Sequence, residues 1–291
     1  MKRLAPLALL VATAIWGWTF VLVKEGMALV GPLAFLAARF LLATVVLGLL
    51  FPRVIARTDR RTLARGALVG LALFAGYLLQ TWGLVYTTAT KSGLLTGLGV
   101  AFVPLFAWAT GRERGSAWPW LGALLAAGGL VTFILARGGV SGFNVGDLLT
   151  VGCAVAFAVH LLLVDRFVRT SDYRRLLFVQ VAVVALLSTA GTLVFETIPT
   201  AWPGKLVEAV LVTSLLATVL CFWLYNRFQV YSTPTYSAII FTLEPVFAGL
   251  CGFLLLGETL TPMQGAGAFL ILLGMLVPRL LERNRPSSAS R

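Results

Sequence analysis

Apolar residues dominate ten stretches of the chain, each separated from the next by a short polar connection. Each stretch is about twenty residues long, which is enough for a helix to span the roughly 30 Å hydrocarbon core of a bilayer. The pattern therefore predicts an all-α polytopic membrane protein with ten transmembrane helices. These predicted helices occupy residues 4–23, 32–51, 66–87, 92–110, 118–136, 147–165, 175–195, 206–227, 234–256 and 262–281.

The same layout occurs twice along the chain. Pro104 lies near the centre of the fourth predicted helix, and Pro245 lies in the ninth. Trp16 and Phe157 are separated by the same number of positions as the two prolines. Each half holds five predicted helices, and an odd number places the halves in opposite orientations across the membrane. The sequence predicts two inverted five-helix repeats at 1–137 and 147–282, an outer linker at 138–146, and a disordered cytoplasmic tail at 283–291.

Composition supports this organisation. Hydrophobic residues make up 59% of the chain and charged residues 12%, about half the charged share of a soluble domain. Ten crossings leave only short loops, so the expected surroundings are the lipid bilayer and no soluble domain is predicted. The sequence has neither a G-x4-G-K-[ST] loop for ATP nor an HExxH motif for zinc, so no cofactor is predicted.

The net charge of +12 follows the membrane topology. Of the 23 Lys and Arg residues, 18 lie in segments that share one side of the membrane, four lie on the other side, and Arg39 alone lies within a helix. Basic loops face the cytoplasm, so both termini are predicted to be cytoplasmic. Because topology explains the clustering of basic residues, no nucleic-acid partner is predicted.

Glu244 is the first candidate for chemistry, because it lies in the middle of the ninth predicted helix. A carboxylate at that depth is costly and marks a functional site by default. It is expected to bind a proton or the ammonium group of a substrate; a structural carboxylate bonded to neighbouring helices is the alternative. The adjacent Pro245 has no N–H, so the carbonyl of Phe241 is left free to bend the helix or bind a ligand.

Other side chains are expected to face the same space. His160, in the middle of the sixth predicted helix, suits proton coupling or a hydrogen bond to a substrate carboxylate; a satisfied interhelical donor is the alternative. Aromatic and amide residues of the third and eighth helices suit a flat amphipathic ligand, although aromatic belts at the interfaces are also common. The full predicted substrate-binding set is Trp16, Thr19, Tyr77, Gln80, Phe157, His160, Tyr225, Ser237 and Glu244. Arg39 is interpreted as a side chain that snorkels or pairs with a carboxylate or carbonyls, with a substrate contact as the alternative.

Several short motifs occur in order along both halves: Trp16-Gly17, the run Leu243–Phe247, the hairpin residues 256–258, and Gly265-Ala266. With these motifs the chain resembles the drug/metabolite transporter superfamily in its ten-helix EamA-type branch. The resemblance implies a secondary transporter of small metabolites in the bacterial inner membrane. A monomer is the expected form, although the sequence does not determine the oligomeric state. Transporters of this branch often export amino acids or related compounds, so the resemblance leaves the substrate itself open. The aromatic-rich helices are similar to those of bacterial aromatic amino acid exporters.

Three other functions remain open from the sequence. The substrate could be a nucleoside or another amphipathic metabolite or drug. A channel would need continuous rings of polar residues, and the helices offer isolated ones. An intramembrane enzyme would need a catalytic set, and the chain has one histidine and no paired carboxylates within a helix. The prediction is therefore a transporter and not an enzyme.

Overall fold

A computed structural model describes residues 3–87, 92, 95–111, 117–136, 144–197, 200–256 and 261–283. All regular elements in these ranges are helices, and they form ten rods that we number α1 to α10. The first half contains α1 (Ala5–Leu29), α2 (Pro32–Leu50), α3 (Arg60–Tyr86), α4 (Gly99–Ala109) and α5 (Trp118–Leu135), with a one-turn helix at Pro52–Ile55. The second half contains α6 (Val145–Val168), α7 (Tyr173–Phe195), α8 (Gly204–Tyr231), α9 in two segments (α9a, Pro234–Phe241, and α9b, Glu244–Leu256) and α10 (Pro262–Arg283).

These rods follow the predicted helices to within a few residues at most ends. The largest differences are at the end of α1, at Leu29 rather than residue 23, and at the starts of α3 and α4, at Arg60 and Gly99 rather than residues 66 and 92. The Asp59 side chain accepts a hydrogen bond from the Thr62 backbone N–H and caps a polar first turn that the apolar pattern does not reveal. Most of the predicted linker and almost all of the predicted tail lie outside the described residues.

Helix starts are fixed by capping residues and prolines. Asn144 and Asp147 exchange side-chain to backbone hydrogen bonds, which is the capping-box arrangement at the start of α6. Asp172 caps α7 by accepting from the Arg174 backbone N–H. At the start of α2, the carboxylate of Glu196 accepts from the backbone N–H groups of the first turn, which are otherwise unpaired.

Two rods contain irregular backbone. The ninth is interrupted at residues 242–243, directly before Glu244 and Pro245, as expected where a proline removes a helical N–H. The eighth contains a π-helical segment at Thr213–Leu220, where the Thr218 hydroxyl donates to the carbonyl of Thr213, five residues earlier. Such segments are rare and concentrate at functional sites.

The two halves exchange packing partners. In the first half α1 packs against α8 and α9 of the second, and in the second half α6 packs against α3 and α4 of the first. The rods α2 and α7 pack against each other, as do α5 and α10. Each of these contacts has a counterpart when every rod is replaced by the one five places away, as an internal repeat requires.

Five of the helices, α2, α3, α6, α7 and α8, are long and apolar enough to cross a membrane. Large apolar side chains such as Leu49, Leu186 and Phe195 are mostly exposed on the outside of the bundle. An exposed apolar surface of this kind is suited to lipid rather than to water. The part of the chain that the structure describes is all-helical and has the apolar surface of a membrane protein.

Candidate functional site

Trp16 lies between the two halves of the bundle. Its ring makes edge-to-face contacts with Phe222 of α8 (centroids 5.6 Å apart) and Phe241 of α9a (5.4 Å). Its indole Nε1 donates a 2.8 Å hydrogen bond to the carbonyl of Ala217, within the π-helical segment. The predicted site residue of α1 is therefore held by two rods of the other half.

Phe157, the counterpart of Trp16 in the second half, has the mirrored position. It packs on Gly76 of α3, and a Cβ atom at Gly76 would overlap its ring. Gly76 and Ala217 are separated along the chain by the same interval as Trp16 and Phe157, so the two aromatic contacts are equivalent under the repeat. The offset found in the sequence thus corresponds to equivalent positions in space.

Tyr77 joins Phe157 in a second aromatic group. Its ring is edge-on to Phe157 at 5.5 Å and to Phe40 of α2 at 5.2 Å. Aromatic pairs at these separations and angles are favourable beyond the area they bury. The two groups together bring aromatic residues from α1, α2, α3, α6, α8 and α9a to the interior.

Glu244 is the first residue of α9b, at the break that precedes this segment. The positive end of a helix stabilises a carboxylate in its first turn. The Glu244 side chain is partly accessible although it lies in the interior of the bundle. Among the described residues, no side chain or backbone group donates a hydrogen bond to it, so the carboxylate is available to a ligand or a proton.

Arg39 of α2 is a buried basic residue that contacts Tyr77 of the same interior region. It is 3% exposed, and its Nε donates a 2.8 Å hydrogen bond to the hydroxyl of Thr218 in the π-helical segment. Its Nη2 makes a longer contact of 3.4 Å with the Tyr77 hydroxyl, and its guanidinium carbon lies 5.3 Å from the Tyr77 ring centroid. Arg39 and Glu244, both in the described part of the chain, form no ion pair. Thr218, which holds Arg39, directly follows Ala217, the acceptor of the Trp16 indole.

His160 of α6 takes part in a chain of hydrogen bonds that continues through α7 to α8. Its Nε2 is 2.9 Å from Oε1 of Gln180 in α7, and Nε2 of Gln180 donates to Oδ1 of Asn226 at 2.9 Å. The Asn226 amide donates in turn to the carbonyl of Phe222. All three polar side chains are buried, so this chain gives His160 a partner on the neighbouring helix.

The remaining predicted residues are distributed around the centre. The Thr19 hydroxyl donates to the carbonyls of Ile15 and Trp16 in its own helix. Gln80 approaches the Thr96 hydroxyl at 3.4 Å.

The other two residues lie in the second half. Tyr225 is buried against Phe241 and His160, and its hydroxyl has no hydrogen-bond partner among the described residues. The Ser237 hydroxyl donates to Gln229 and contacts Ser232. The structure thus gathers Trp16, Tyr77, Phe157 and Glu244 around one interior region and places Ser237 beyond it.

The predicted set omits three residues that the structure brings into this region. Arg39 carries the buried positive charge, Thr218 holds it, and Gln180 connects His160 to α8. A signal for them was present, because Arg39 and Gln180 are related by the offset of the repeat, as are Tyr77 and Thr218. Polar residues recurring at equivalent positions of two apolar helices mark the interior face of both.

A groove of about 410 Å³ opens elsewhere, between α2, α3 and α7. It is lined by apolar side chains including Leu33, Trp82 and Phe195, and by none of the predicted site residues. Its composition suits a lipid chain, so we place the site at the interior region. The part of the chain that the structure describes holds no group of His, Cys, Asp and Glu residues suited to a metal ion.

Comparisons with known proteins agree with this architecture. The sequence model of the EamA-like transporter family matches residues 3–135 and again residues 144–278. An "Uncharacterized transporter" of Archaeoglobus fulgidus is 36% identical over 281 residues, which cover 96% of this chain and 87% of that protein. The "Uncharacterized transporter YoaV" of Bacillus subtilis is 25% identical over 285 residues, covering 93% and 95%.

A solved crystal structure has the same fold. It superposes with a TM-score of 0.83 over 97% of this chain and 99% of the other, at 23% sequence identity. The double match to one family model also accounts for the repeat that the packing displays. The chain belongs to the EamA-like transporter family of the drug/metabolite transporter superfamily.

Proposed function

We propose that this transporter exports amino acids, most of all neutral and aromatic ones, across the inner membrane by alternating access. The observation that carries the proposal is the unpaired carboxylate of Glu244 at an interrupted helix in the interior. Transporters with inverted repeats bind substrate near the midplane, at discontinuous helices between the repeats. Glu244 occupies a position of that kind, and the nearby aromatic rings suit an apolar side chain.

In this proposal the protein crosses the membrane ten times with both termini in the cytoplasm. Contacts among basic segments support a common cytoplasmic end: Arg65 of α3 donates to Thr170 and Ser171 after α6, and the Arg227 guanidinium of α8 packs over Tyr173 of α7. The opposite ends of these rods also meet, since Asn144 donates to the carbonyl of Tyr86. The excess of basic residues lies at the end that holds Arg65 and Arg227, and this favours a cytoplasmic location for that end.

The topology is tested by thiol labelling from outside intact cells. A cysteine introduced by Asn144→Cys should react with a membrane-impermeant maleimide, and one introduced by Ser171→Cys should react only after the cells are permeabilised. The variant Cys251→Ala should serve as background, because Cys153 and Cys221 are buried. Labelling of the Ser171→Cys variant in intact cells would indicate the opposite orientation of the protein in the membrane.

Transport is tested by counterflow in proteoliposomes containing the purified protein. Vesicles preloaded with unlabelled phenylalanine should accumulate labelled phenylalanine, tryptophan or threonine, and labelled uridine should stay at the level of empty vesicles. The Glu244→Gln variant should lose accumulation while inserting normally. Accumulation of uridine alone would keep the transporter and replace the substrate class, and no accumulation of any compound would reject export of these amino acids.

A further inference from the structure

We infer that Arg39 and Glu244 form the two ends of one recognition site for a zwitterion with an apolar side chain. The Arg39 guanidinium binds the substrate carboxylate, and the Glu244 carboxylate binds the substrate ammonium group. This inference rests on the proposed function, because it names the chemistry by which the same interior region selects amino acids. It also assigns Arg39 a direct role in substrate recognition.

Arg39 has unused hydrogen-bonding capacity. A guanidinium carries five N–H donors, all of which require acceptors when the group is buried. The protein supplies the Thr218 hydroxyl at 2.8 Å and the Tyr77 hydroxyl at 3.4 Å, the latter long for such a bond. Among the described residues no carboxylate pairs with Arg39. The planar fork is therefore free to bind a carboxylate in the bidentate geometry it prefers.

Glu244 has unused capacity of the opposite kind. Its carboxylate accepts no hydrogen bond from the described residues, although burial in a membrane protein normally forces such a group to find a partner. The first turn of α9b offers it a favourable helix end, which stabilises the charge without consuming its lone pairs. Glu244 can therefore accept the N–H donors of an ammonium group.

The two charges border the same interior region. Arg39 bonds to Thr218, the neighbour of Ala217. Ala217 accepts from Trp16, whose ring packs on Phe241 just before the break at Glu244. Among the described residues no ion pair joins Arg39 to Glu244, so neither relieves the desolvation of the other by direct pairing. Burial of an ion without a compensating charge is unfavourable. A zwitterion placed between them supplies one complementary charge to each end and leaves the occupied site neutral. An amine or an acid alone satisfies one end and leaves the other unpaired.

Aromatic rings lie next to the two charged residues. The neighbouring rings belong to Trp16, Tyr77, Phe157 and Phe241. The Trp16 N–H is already bonded to Ala217, and the Tyr77 hydroxyl already contacts Arg39. The walls thus offer ring surface and few free polar groups, which favours an apolar or aromatic side chain over a charged one.

The experiment measures binding by calorimetry to the purified full-length protein in detergent. The probes are L-phenylalanine, phenethylamine, which lacks the carboxylate, and 3-phenylpropionate, which lacks the ammonium group; L-leucine with its two analogues forms a second series. In the wild-type protein each analogue should bind about 100-fold more weakly than its amino acid, because it leaves one buried charge unpaired.

The variants should then show a crossed pattern. Arg39→Met should weaken L-phenylalanine about 100-fold and change phenethylamine less than about threefold, since that ligand has already lost the group that Arg39 binds. Glu244→Gln should weaken L-phenylalanine similarly and spare 3-phenylpropionate. Arg39→Lys keeps the charge without the fork and should lose about tenfold. The Asp172→Asn variant neutralises the acid that caps α7 and should change none of the affinities.

Two results would overturn the inference. One is an equal weakening of all three ligands by either variant, which indicates a structural role for that residue. The other is wild-type binding that does not distinguish the amino acids from their analogues, or no binding of either amino acid. Binding with the crossed pattern but no counterflow would support the recognition site and reject export, so the two proposals fail separately.

Discussion

Arg39 and Gln180 occupy equivalent positions of α2 and α7 under the repeat, yet their surroundings differ. Both ends of the Gln180 amide are engaged, one with His160 and the other with Asn226. Arg39 is charged, and most of its N–H groups lack an acceptor among the described residues. The repeat thus provides two equivalent interior positions. One holds Gln180, which is part of a neutral hydrogen-bonded network, and the other holds Arg39, a charged group with unused N–H donors.

The fourth and ninth rods differ in the same way. Val103 precedes Pro104 in α4, where the helix continues, and Glu244 precedes Pro245 at the break in α9. Ligands are asymmetric molecules, and a symmetric bundle recognises them only where its halves diverge. The divergent positions therefore show where recognition takes place, and the matching ones show how the scaffold is built.

Replacement of Glu244 by the residue of its counterpart should have the largest effect. The Glu244→Val variant should lose counterflow by at least about 100-fold, because it removes the ligand for the ammonium group. Its thermal stability in detergent should stay equal to that of the wild type or rise, since an unpaired buried charge is gone. A fall in unfolding temperature together with retained transport would make Glu244 a structural residue.

Disruption of the neutral network should have the opposite signature. Gln180→Leu leaves His160 and Asn226 without their shared partner and should lower the free energy of unfolding by about 1–3 kcal/mol. Thermal or denaturant unfolding of the purified protein measures this change, with Arg39→Met as the matched variant at the equivalent position. Greater destabilisation by Arg39→Met than by Gln180→Leu would contradict the distinction between the two positions.

A smaller effect is expected from Trp16→Phe. The substitution retains an aromatic ring against Phe222 and Phe241 but removes the N–H that bonds to the carbonyl of Ala217. One neutral hydrogen bond contributes about 1 kcal/mol, so the unfolding temperature should fall slightly. Phe157→Leu provides the control, because the Phe157 side chain has no polar atom. This variant should change ligand affinity without the loss of a hydrogen bond. Equal changes in ligand affinity and in unfolding temperature for the two variants would argue against the role assigned to the indole N–H.

The smallest effect is expected at Asp172. Hydrogen bonds from the Arg174 side chain hold the pKa of this carboxyl below its usual value. A lowered pKa in the folded state gives stability that is present above the unfolded pKa of about 4 and is lost as the pH falls through the folded value. The difference in unfolding temperature between the wild type and Asp172→Asn should shrink from about pH 5 downward. A difference that grows in acid would contradict this assignment.

The approximate positions of the helices, their recurrence at a fixed offset and a distortion at Pro245 could be predicted from the sequence, whereas the apolar pattern predicts Glu244 in the middle of a continuous helix. The predictable features depend on local properties: apolar length, proline and recurrence at a fixed offset. The partners of Trp16 could not be predicted, because Ala217 lies 201 residues away and no local pattern encodes that contact. The π-helical segment of α8 also escaped prediction, since an unbroken apolar run is compatible with α- and π-helical hydrogen bonding alike.

The hydrogen bond between Arg39 and Thr218 has a consequence for biosynthesis. The two residues are 179 positions apart, and a ribosome adds about 5–20 residues per second. The guanidinium therefore reaches the membrane about 10–35 s before its nearest acceptor has been translated. Tyr77 lies only 38 positions after Arg39, so its hydroxyl and ring arrive first. The contact with Tyr77 can therefore form while α8 is still being translated, whereas the bond to Thr218 has to wait for α8.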